Sequence, residues 1–427
     1  MRFYLLEAGR WAYHRSAFFA LNRMDMPFNL RLAAFVFLLV LPSLVLAQGD
    51  VVNTGPERLF ILPQGFTASA LSGAGPSLAF GVTLGDAGRA NPAALAAFDG
   101  AAVGLAYQLE TSVEDGWLGG ISYEAANGVR PQSAAAVVPV GAWAFGLSYQ
   151  QRYAATMDFG EVPYQTIDNP EVDPSATFDM EWASRLTTVA PQVAYRASLE
   201  TGELALGLRV GFGYGQFESE VRTEGDLDPA FAGGDYEDFS DWGTQVAAGV
   251  SYRTDGVGLA LYYESALRIE GTRAVRFIVG IPVEEPDIRT LDLPISDAIP
   301  ARVAVSGDVE VQPGVRVGAD VARVFWKDAW PEDADQMRDQ IDASAWTRLR
   351  VSESGEASLG LIYQGRGRWG DHIEEAFGYS GRALYFTLGG ALTFDRFRLD
   401  AVVADSRLLS AEEHRQTVIK LGASVRL

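Results

Sequence analysis

The feature that most constrains this chain is an alternation of apolar and polar side chains with a period of two residues, which recurs from Ala101 to the carboxyl end. It is regular in residues 417–427, where the apolar face consists of Ile419, Leu421, Ala423, Val425 and Leu427. The same pattern occupies residues 302–312 and 204–214. Because successive side chains of a β-strand point to opposite faces of the sheet, this period predicts an all-β chain.

The polar faces of these segments indicate what kind of sheet they form. Arg302, Asp308 and Glu310 put charges of both signs within one strand, as expected for the wet lumen of a transmembrane barrel. Very short turns such as 254–256 join the strands at one side, whereas long acidic loops such as 158–181 lie at the other. That asymmetry is typical of transmembrane β-barrels. A soluble all-β sandwich also alternates and is the alternative.

The alternation predicts fourteen strands, an even number as an antiparallel sheet that closes on itself requires. Residues 117–124 are one further candidate strand, and the even count assigns them to a loop. The expected fold is therefore an all-β, antiparallel transmembrane barrel. The expected spans are 101–111, 132–139, 142–155, 183–198, 203–222, 239–254, 256–275, 299–312, 314–327, 343–353, 356–368, 380–395, 396–409 and 414–427.

The long apolar run Leu32–Ala47 lies near the amino terminus and follows Arg31. A basic residue, a short apolar stretch and small residues before a cleavage site are typical of a secretory signal peptide. We therefore expect residues 1–47 to be removed by cleavage after Ala47, with Met24 or Met26 as an alternative start. An amino-terminal membrane anchor is the competing interpretation.

Composition and charge exclude several classes of function. The chain contains no Cys, which rules out disulfides, thiol nucleophiles and thiolate metal sites. Its formal net charge of −21 makes nucleic acid a poor partner, because phosphates need a basic surface. The three His residues, His14, His372 and His414, belong to no catalytic or zinc-binding pattern, and we find no nucleotide-binding Gly loop. We expect neither an enzyme nor a bound metal or cofactor.

Residues 48–99 lack the alternation and are rich in Gly, Ala and Ser. A barrel of fourteen strands is wider than its own side chains can fill, and this segment is too apolar for a linker. We therefore expect residues 48–99 to form a hatch in the lumen of a barrel made by residues 100–427. A disordered or periplasmic extension is the alternative.

Apolar side chains of the expected hatch are candidates for lining an inner pocket for a hydrophobic solute, which gains about 25 cal/mol for each Å² of apolar area that it buries. The same side chains would otherwise only pack the hatch against the wall. These residues are Phe60, Leu62, Phe66, Leu71, Leu78 and Phe80.

The passage from the hatch to the first strand, residues 85–99, contains Asn91-Pro92-Ala93 followed by Phe98. It resembles the corresponding passage of the FadL/TodX family of outer-membrane transporters for long-chain fatty acids and hydrocarbons. The resemblance implies a fourteen-strand barrel with a lumenal hatch. It also implies passive diffusion of hydrophobic small molecules, which leave sideways through a gap in the wall.

The same tripeptide also occurs in other outer-membrane barrels, including type IX secretion proteins of the PorV kind. A secretion-associated or structural barrel that binds a protein partner is therefore the alternative function. A general porin, which would have a constricting loop and no plug, is the third.

The carboxyl end carries a separate indication of outer-membrane assembly. Gly422, Val425 and Leu427 form a pattern similar to the terminal-strand signal that the barrel-insertion machinery reads. We therefore expect a location in the bacterial outer membrane. The expected partners are hydrophobic small molecules, outer-membrane lipid and the insertion machinery.

Overall fold

A computed structural model describes residues 83–84, 89, 91–110, 115–118, 121–125, 128–163, 177–224, 235–279, 287–329, 338–365, 383–406 and 417–427. Most of these residues lie in the strands of one antiparallel sheet. Within these ranges, two short helices accompany the sheet: a 3-10 helix, Pro92–Ala97, which we call the lumenal helix, and an α-helix, Trp326–Ala329. None of the helices in the described ranges has the length and apolarity to cross a membrane.

The sheet has eighteen strand segments. In chain order they are β1 (Ala102–Glu110), β2 (Asp115–Leu118), β3 (Ile121–Ala125), β4 (Gly128–Val140), β5 (Trp143–Pro163), β6 (Thr177–Leu199), β7 (Gly202–Glu224), β8 (Asp235–Arg253), β9 (Val257–Glu264), β10 (Leu267–Val279), β11 (Asp287–Ile299), β12 (Ala301–Gln312), β13 (Val315–Phe325), β14 (Gln340–Arg350), β15 (Gly355–Gln364), β16 (Ala383–Phe394), β17 (Phe397–Asp405) and β18 (Thr417–Arg426).

The sheet closes into a barrel because β1 pairs with β18 on one side and with β4 on the other. Two wall strands are each interrupted once: β9 continues into β10 beyond residues 265–266, and β11 continues into β12 beyond Pro300. Counting each of these as one strand and leaving out the β2–β3 hairpin gives a wall of fourteen strands. The strand number expected from the sequence is confirmed.

The assignment of residues 117–124 to a loop was wrong in detail. The described residues of this range, 117–118 and 121–124, lie in the hairpin β2–β3, whose second strand pairs with β5 at Glu124 and Ala125. The hairpin therefore extends the edge of β5 and adds no strand to the closed wall.

Side chains alternate between the outer and the lumenal side of the wall, as β9 shows most clearly. Its outward residues Val257, Leu259, Leu261 and Tyr263 are all exposed, whereas the inward residues Tyr262 and Glu264, which alternate with them, are buried. Exposed aliphatic and aromatic side chains continue around the barrel on the other strands. An apolar outer surface on a closed barrel is the surface that lipid covers, so the chain has the architecture of a membrane-spanning barrel.

The short turns between the wall strands lie at one end of the barrel, and left-handed backbone occurs in these turns at Gly141, Gly314 and Asp395. Gly141, in the two-residue turn between β4 and β5, has φ +61°. Asp395, in the equivalent turn between β16 and β17, has φ +51°. Two-residue turns of this kind match the twist of the strands that they join, and Gly and Asp tolerate the positive φ.

The outward face of β9 offers a test of membrane insertion. Leu261→Arg places a charge near the middle of the apolar band and should lower the free energy of unfolding by about 2–4 kcal/mol. Val257→Arg, on the same face of β9 but next to the turn, should cost at most about 1 kcal/mol. Urea-dependent folding into phospholipid vesicles measures both. Equal losses for the two variants would contradict this orientation.

Candidate functional site

Asn91 holds the described part of the expected hatch inside the barrel. Its side-chain Oδ1 accepts a hydrogen bond of 2.9 Å from the backbone N–H of Ala93 and so caps the lumenal helix. Its Nδ2 donates to the carbonyl oxygens of Val250 on β8, at 3.3 Å, and Leu261 on β9, at 3.1 Å. Both ends of the amide group are therefore used, and the helix is tied to two neighbouring wall strands.

Two glycines open the space that the Asn-Pro-Ala turn occupies. Gly207 of β7 and Gly249 of β8 are direct partners in the ladder, so their inner faces form one slot. A Cβ at Gly249 would overlap the side chain of Asn91, and a Cβ at Gly207 would overlap the backbone of Pro92 and Ala93. Only a wall without side chains at this pair lets the helix approach the strands so closely.

Apolar contacts fix the rest of the lumenal segment. Leu84 and Leu95, both buried, pack with Ala96 and Phe98 against the wall. The wall residues in this cluster are mostly small; they are Ala102, Ala135, Val137, Ala144, Ala194 and Ala205. The lumen beside β1 and β4–β7 is therefore filled by packed protein.

The glycine slot can be tested with a matched substitution on the same strand. Gly249→Ala and Gly207→Ala should each displace the lumenal helix and cost about 1–3 kcal/mol of stability, as overpacking usually does. Gly211→Ala on β7 is the control, because a Cβ there meets no atom closer than 3.7 Å. We expect the slot variants, unlike the control, to unfold at a lower temperature in detergent and to conduct ions in planar bilayers. Identical behaviour of all three variants would contradict the slot.

A buried ion cluster lies beyond the lumenal helix. Arg152 of β5 makes a two-pronged contact with Glu264 of β9, with Nη1–Oε1 at 2.9 Å and Nη2–Oε2 at 3.2 Å. Arg209 of β7 donates to the same carboxylate at 3.0 Å and to the hydroxyl of Tyr262 at 2.9 Å. The three charged side chains are almost entirely buried. Since they come from three strands, the cluster braces the wall across the lumen.

The stability of the cluster depends on its one shared carboxylate. Glu264→Gln keeps the shape of the side chain but leaves Arg152 and Arg209 without that negative charge, and we expect a loss of about 3–5 kcal/mol. The control is Glu356→Gln, which removes a half-exposed pair with Arg398 and should cost at most about 1 kcal/mol. Chemical denaturation in detergent measures both. A loss at Glu264 no larger than that at Glu356 would show that the cluster is not a brace.

The ladder between β4 and β5 stops partway up the wall. The two strands pair from Val140–Trp143 to Ser133–Gln150. Within the described residues, no pairing joins them above that level, and β5 next meets β3 at Met157. We call this interruption the β4–β5 gap; it is bordered by residues 128–132 of β4 and 151–156 of β5.

Two bulges at the same height account for the β4–β5 gap. Gln132 is the extra residue of β4 opposite β1, and Arg152 is the extra residue of β5 opposite β6. A bulge bends its strand and increases the local twist, so bulges in both neighbours separate them. The gap begins above Gln150, roughly 17 Å along the barrel axis from the short turn, which places it within an apolar band about 25 Å tall.

A second interruption narrows the lumen above the ion cluster. β8 pairs with β9 as far as Ala247–Glu264 and next meets β10 at Asp238–Ala274. Between these points β10 lies on the lumenal side of β8, and the buried side chains of Leu267 and Ile269 pack on Gly213 and Gly215 of β7. We call residues 267–269 the inward segment.

The two interruptions are linked through the ion cluster. Gln245 of β8 donates at 2.8 Å to the carbonyl oxygen of Ser265, where β9 gives way to the inward segment. The same side chain accepts a hydrogen bond of 3.3 Å from Arg152, which is the bulge residue at the β4–β5 gap. A movement of the inward segment would therefore reach the gap through two hydrogen bonds.

The structure describes only some of the residues that the sequence analysis singled out. Asn91, Pro92 and Ala93 lie in the lumen and contact the wall as described above. Gly422 and Val425 lie in β18 and pair with Ala106 and Val103 of β1, so the terminal strand closes the barrel. The expected pocket residues Phe60, Leu62, Phe66, Leu71, Leu78 and Phe80 lie outside the described residues, as do His14, His372 and His414.

Alternation did not predict the residues that form the slot, the gap and the ion cluster. Glycines and bulges interrupt the period of two, so these residues appear in the sequence only as breaks in the alternation. Val210–Gly215 contains three glycines at alternate positions, Gly211, Gly213 and Gly215, which is the one sequence sign of a lumenal face left open for other segments.

Comparison with solved structures finds the same architecture in known barrels. The toluene transporter TodX of P. putida matches with a TM-score of 0.60 and 18% identity, over 85% of this chain and 99% of that chain. The toluene transporter TbuX of Ralstonia pickettii matches with a TM-score of 0.59 and 16% identity, over 85% and 99%. A FadL homologue of Pseudomonas aeruginosa matches with a TM-score of 0.55 and 14% identity, over 85% and 99%.

These matches confirm the resemblance at the level of the fold. No protein-family model and no curated protein matches the chain. The matched structures are described as transporters or as a homologue of one, and none of the three as an enzyme.

Proposed function

We propose that this chain is a bacterial outer-membrane barrel that lets hydrophobic small molecules cross by passive diffusion and releases them sideways through the β4–β5 gap. The observation that carries the proposal is the combination of a lumenal helix packed against the inside of the wall with an interruption of that wall. The packed helix narrows the aqueous path through the barrel, and an opening at the height of the apolar band provides a path for a solute that prefers lipid to water.

The physical advantage of a sideways exit is that the solute never has to enter water on its way out. A hydrophobic molecule gains about 25 cal/mol for each Å² of apolar surface that leaves water, so continuous apolar contact keeps its free energy low. The structural neighbours TodX and TbuX, which are toluene transporters, support the solute class. Long-chain fatty acids and hydrocarbons are the substrates that we propose for this chain.

The polar lumenal side of the gap determines how it would open. Gln132, Gln150 and Arg152 are all buried and face the lumen at this level. Arg152 is held by Glu264 and Gln245, so its side chain stays away from the opening while the ion cluster is intact. The inward segment lies at the far side of the same cluster. We propose that solute arriving from outside displaces the inward segment and so changes the position of Arg152.

The proposed route begins before the described residues. We propose that residues 48–99 together form the hatch and that Phe60, Leu62, Phe66, Leu71, Leu78 and Phe80 line its inner pocket. Leu84, which lies four residues after Phe80 in the chain, packs in the lumen against Gly104 of β1, which supports this placement. We further propose cleavage after Ala47 and recognition of Gly422, Val425 and Leu427 by the insertion machinery.

Deletion of Gln132 tests the gap as the exit. Removing this single extra residue restores a regular ladder between β4 and β1 and should bring β4 closer to β5. We expect uptake of radiolabelled oleate or toluene into vesicles that contain the protein to fall severalfold.

Deletion of Val311 is the matched control, because it removes the bulge between β12 and β13 next to a short turn. That variant should transport normally. Unchanged uptake after deletion of Gln132, with the barrel correctly folded, would exclude the gap as the exit. Copurification of a stable protein partner, together with no uptake by the unmodified chain, would instead favour the secretion-associated or structural alternative.

A further inference from the structure

The lipid-facing surface of the barrel has an apolar depression next to the β4–β5 gap. It has a volume of about 510 Å³ and spans the outer side of the wall where β17, β18, β1, β4, β5 and β6 lie side by side. Large exposed side chains surround it, among them Leu105, Leu147, Tyr149 and Leu399.

The register of the strands explains why the surface is hollow there. On the outer face of β4, Ala134 stands between Leu105 of β1 and Tyr149 of β5. One step closer to the turn, Ala136 stands between Val103 and Leu147. Two alanines between two pairs of larger side chains form a trough along β4, which we call the β4 trough.

The β4 trough leads directly to the gap. Going up β4 from Ala136, the outward positions are Ala134 and then Pro131, and the bulge residue Gln132 lies between them. Pairing with β5 ends at Ser133, one residue above Ala134. A molecule that emerges between β4 and β5 within the apolar band therefore meets the trough before it meets the rest of the lipid-facing wall.

We propose that the β4 trough is an exit site that receives the alkyl chain of a solute leaving through the β4–β5 gap, an inference that rests on the proposed function. A trough one strand wide between two rows of larger side chains fits a single linear chain better than a fused ring system. The depression that contains the trough has an almost wholly apolar lining, so it favours the hydrocarbon part of the solute and offers no charged partner to a headgroup.

The bilayer determines how long the alkyl chain of a solute would stay in the β4 trough. Lipid tails are as apolar as the trough, so no hydrophobic driving force holds the alkyl chain against the wall. Only the fit between the chain and the two alanines favours the trough, through many small dispersion contacts. Such a site directs the solute along β4 into the membrane and releases it readily.

Photo-crosslinking during uptake tests the exit site. The full chain is reconstituted in phospholipid vesicles, given palmitate that carries a diazirine near the end of its alkyl chain, and illuminated while uptake proceeds. Peptide mass spectrometry should find adducts severalfold more often on residues 103–105, 134–136 and 147–149 than on the outer face of β14.

Ala134→Phe fills the trough and should remove these adducts and slow palmitate uptake severalfold. The control is Ala343→Phe on β14, because Ala343 also faces outward, between Val321 and Tyr363, on another part of the wall. That variant should leave both the adducts and the uptake unchanged. The mapping of adducts on the unmodified chain tests the site even if Ala134→Phe fails to insert.

The outcomes separate the exit site from transport itself. Normal uptake with adducts spread evenly over β4 and β14 would overturn the exit site and leave the proposed function standing. Equal labelling of the trough by a diazirine phospholipid, undiminished by excess palmitate, would assign the trough to bulk lipid and also overturn it. Absence of uptake by the unmodified chain would overturn both proposals.

Discussion

A bilayer offers the backbone no hydrogen-bonding partner, and this constraint governs the whole structure. Each unpaired N–H or C=O group in the apolar core costs several kcal/mol, so a sheet can cross only if its last strand pairs with its first. β18 meets β1 through nine consecutive residue pairs, which satisfies the constraint along the seam. Any interruption elsewhere in the wall is therefore an energetic cost that the chain must offset, and the two interruptions observed are unusual for that reason.

Both interruptions are stabilised from the lumenal side. Arg152 and Glu264 stand at the β4–β5 gap and at the end of β9, and their two-pronged contact joins the places where the wall is weakest. A buried ion pair contributes little net stability when compared with apolar packing, but it is costly to break, so it fixes geometry well. The cluster thus fixes the positions of β5 and β9 at the points where each stops pairing with its neighbour in the wall.

Alternation was sufficient to predict the fold, because a wall with lipid on one side imposes it on every spanning strand. It was less informative about strand ends. The fourth strand was expected at 183–198, whereas the corresponding β6 extends over Thr177–Leu199. Above the membrane both faces of a strand meet water, so the apolar period disappears while the hydrogen-bonded ladder continues. For the same reason residues 117–124 were assigned to a loop although they pair as a hairpin.

The candidate site was only half predictable. The turn at Asn91-Pro92-Ala93 is a local feature, and a sequence motif can indicate it. Its partners Gly207 and Gly249 are more than a hundred residues away in the chain. They make room for the turn because they have no side chain, and two isolated glycines form no recognisable sequence motif. The partnership of Arg152 with Glu264 depends on which strands face each other across the lumen, which a single sequence does not encode in any short segment.

The position of the lumenal helix also constrains the order in which the molecule assembles. The helix immediately precedes β1 in the chain, yet it contacts β7 and β8 across the interior, and β1 takes part in the closing seam. A packed segment cannot readily be threaded into a finished cylinder, so it has to be enclosed while β1 and β18 are still apart. Assembly of this barrel therefore ends when the β1–β18 seam is sealed around the lumenal helix.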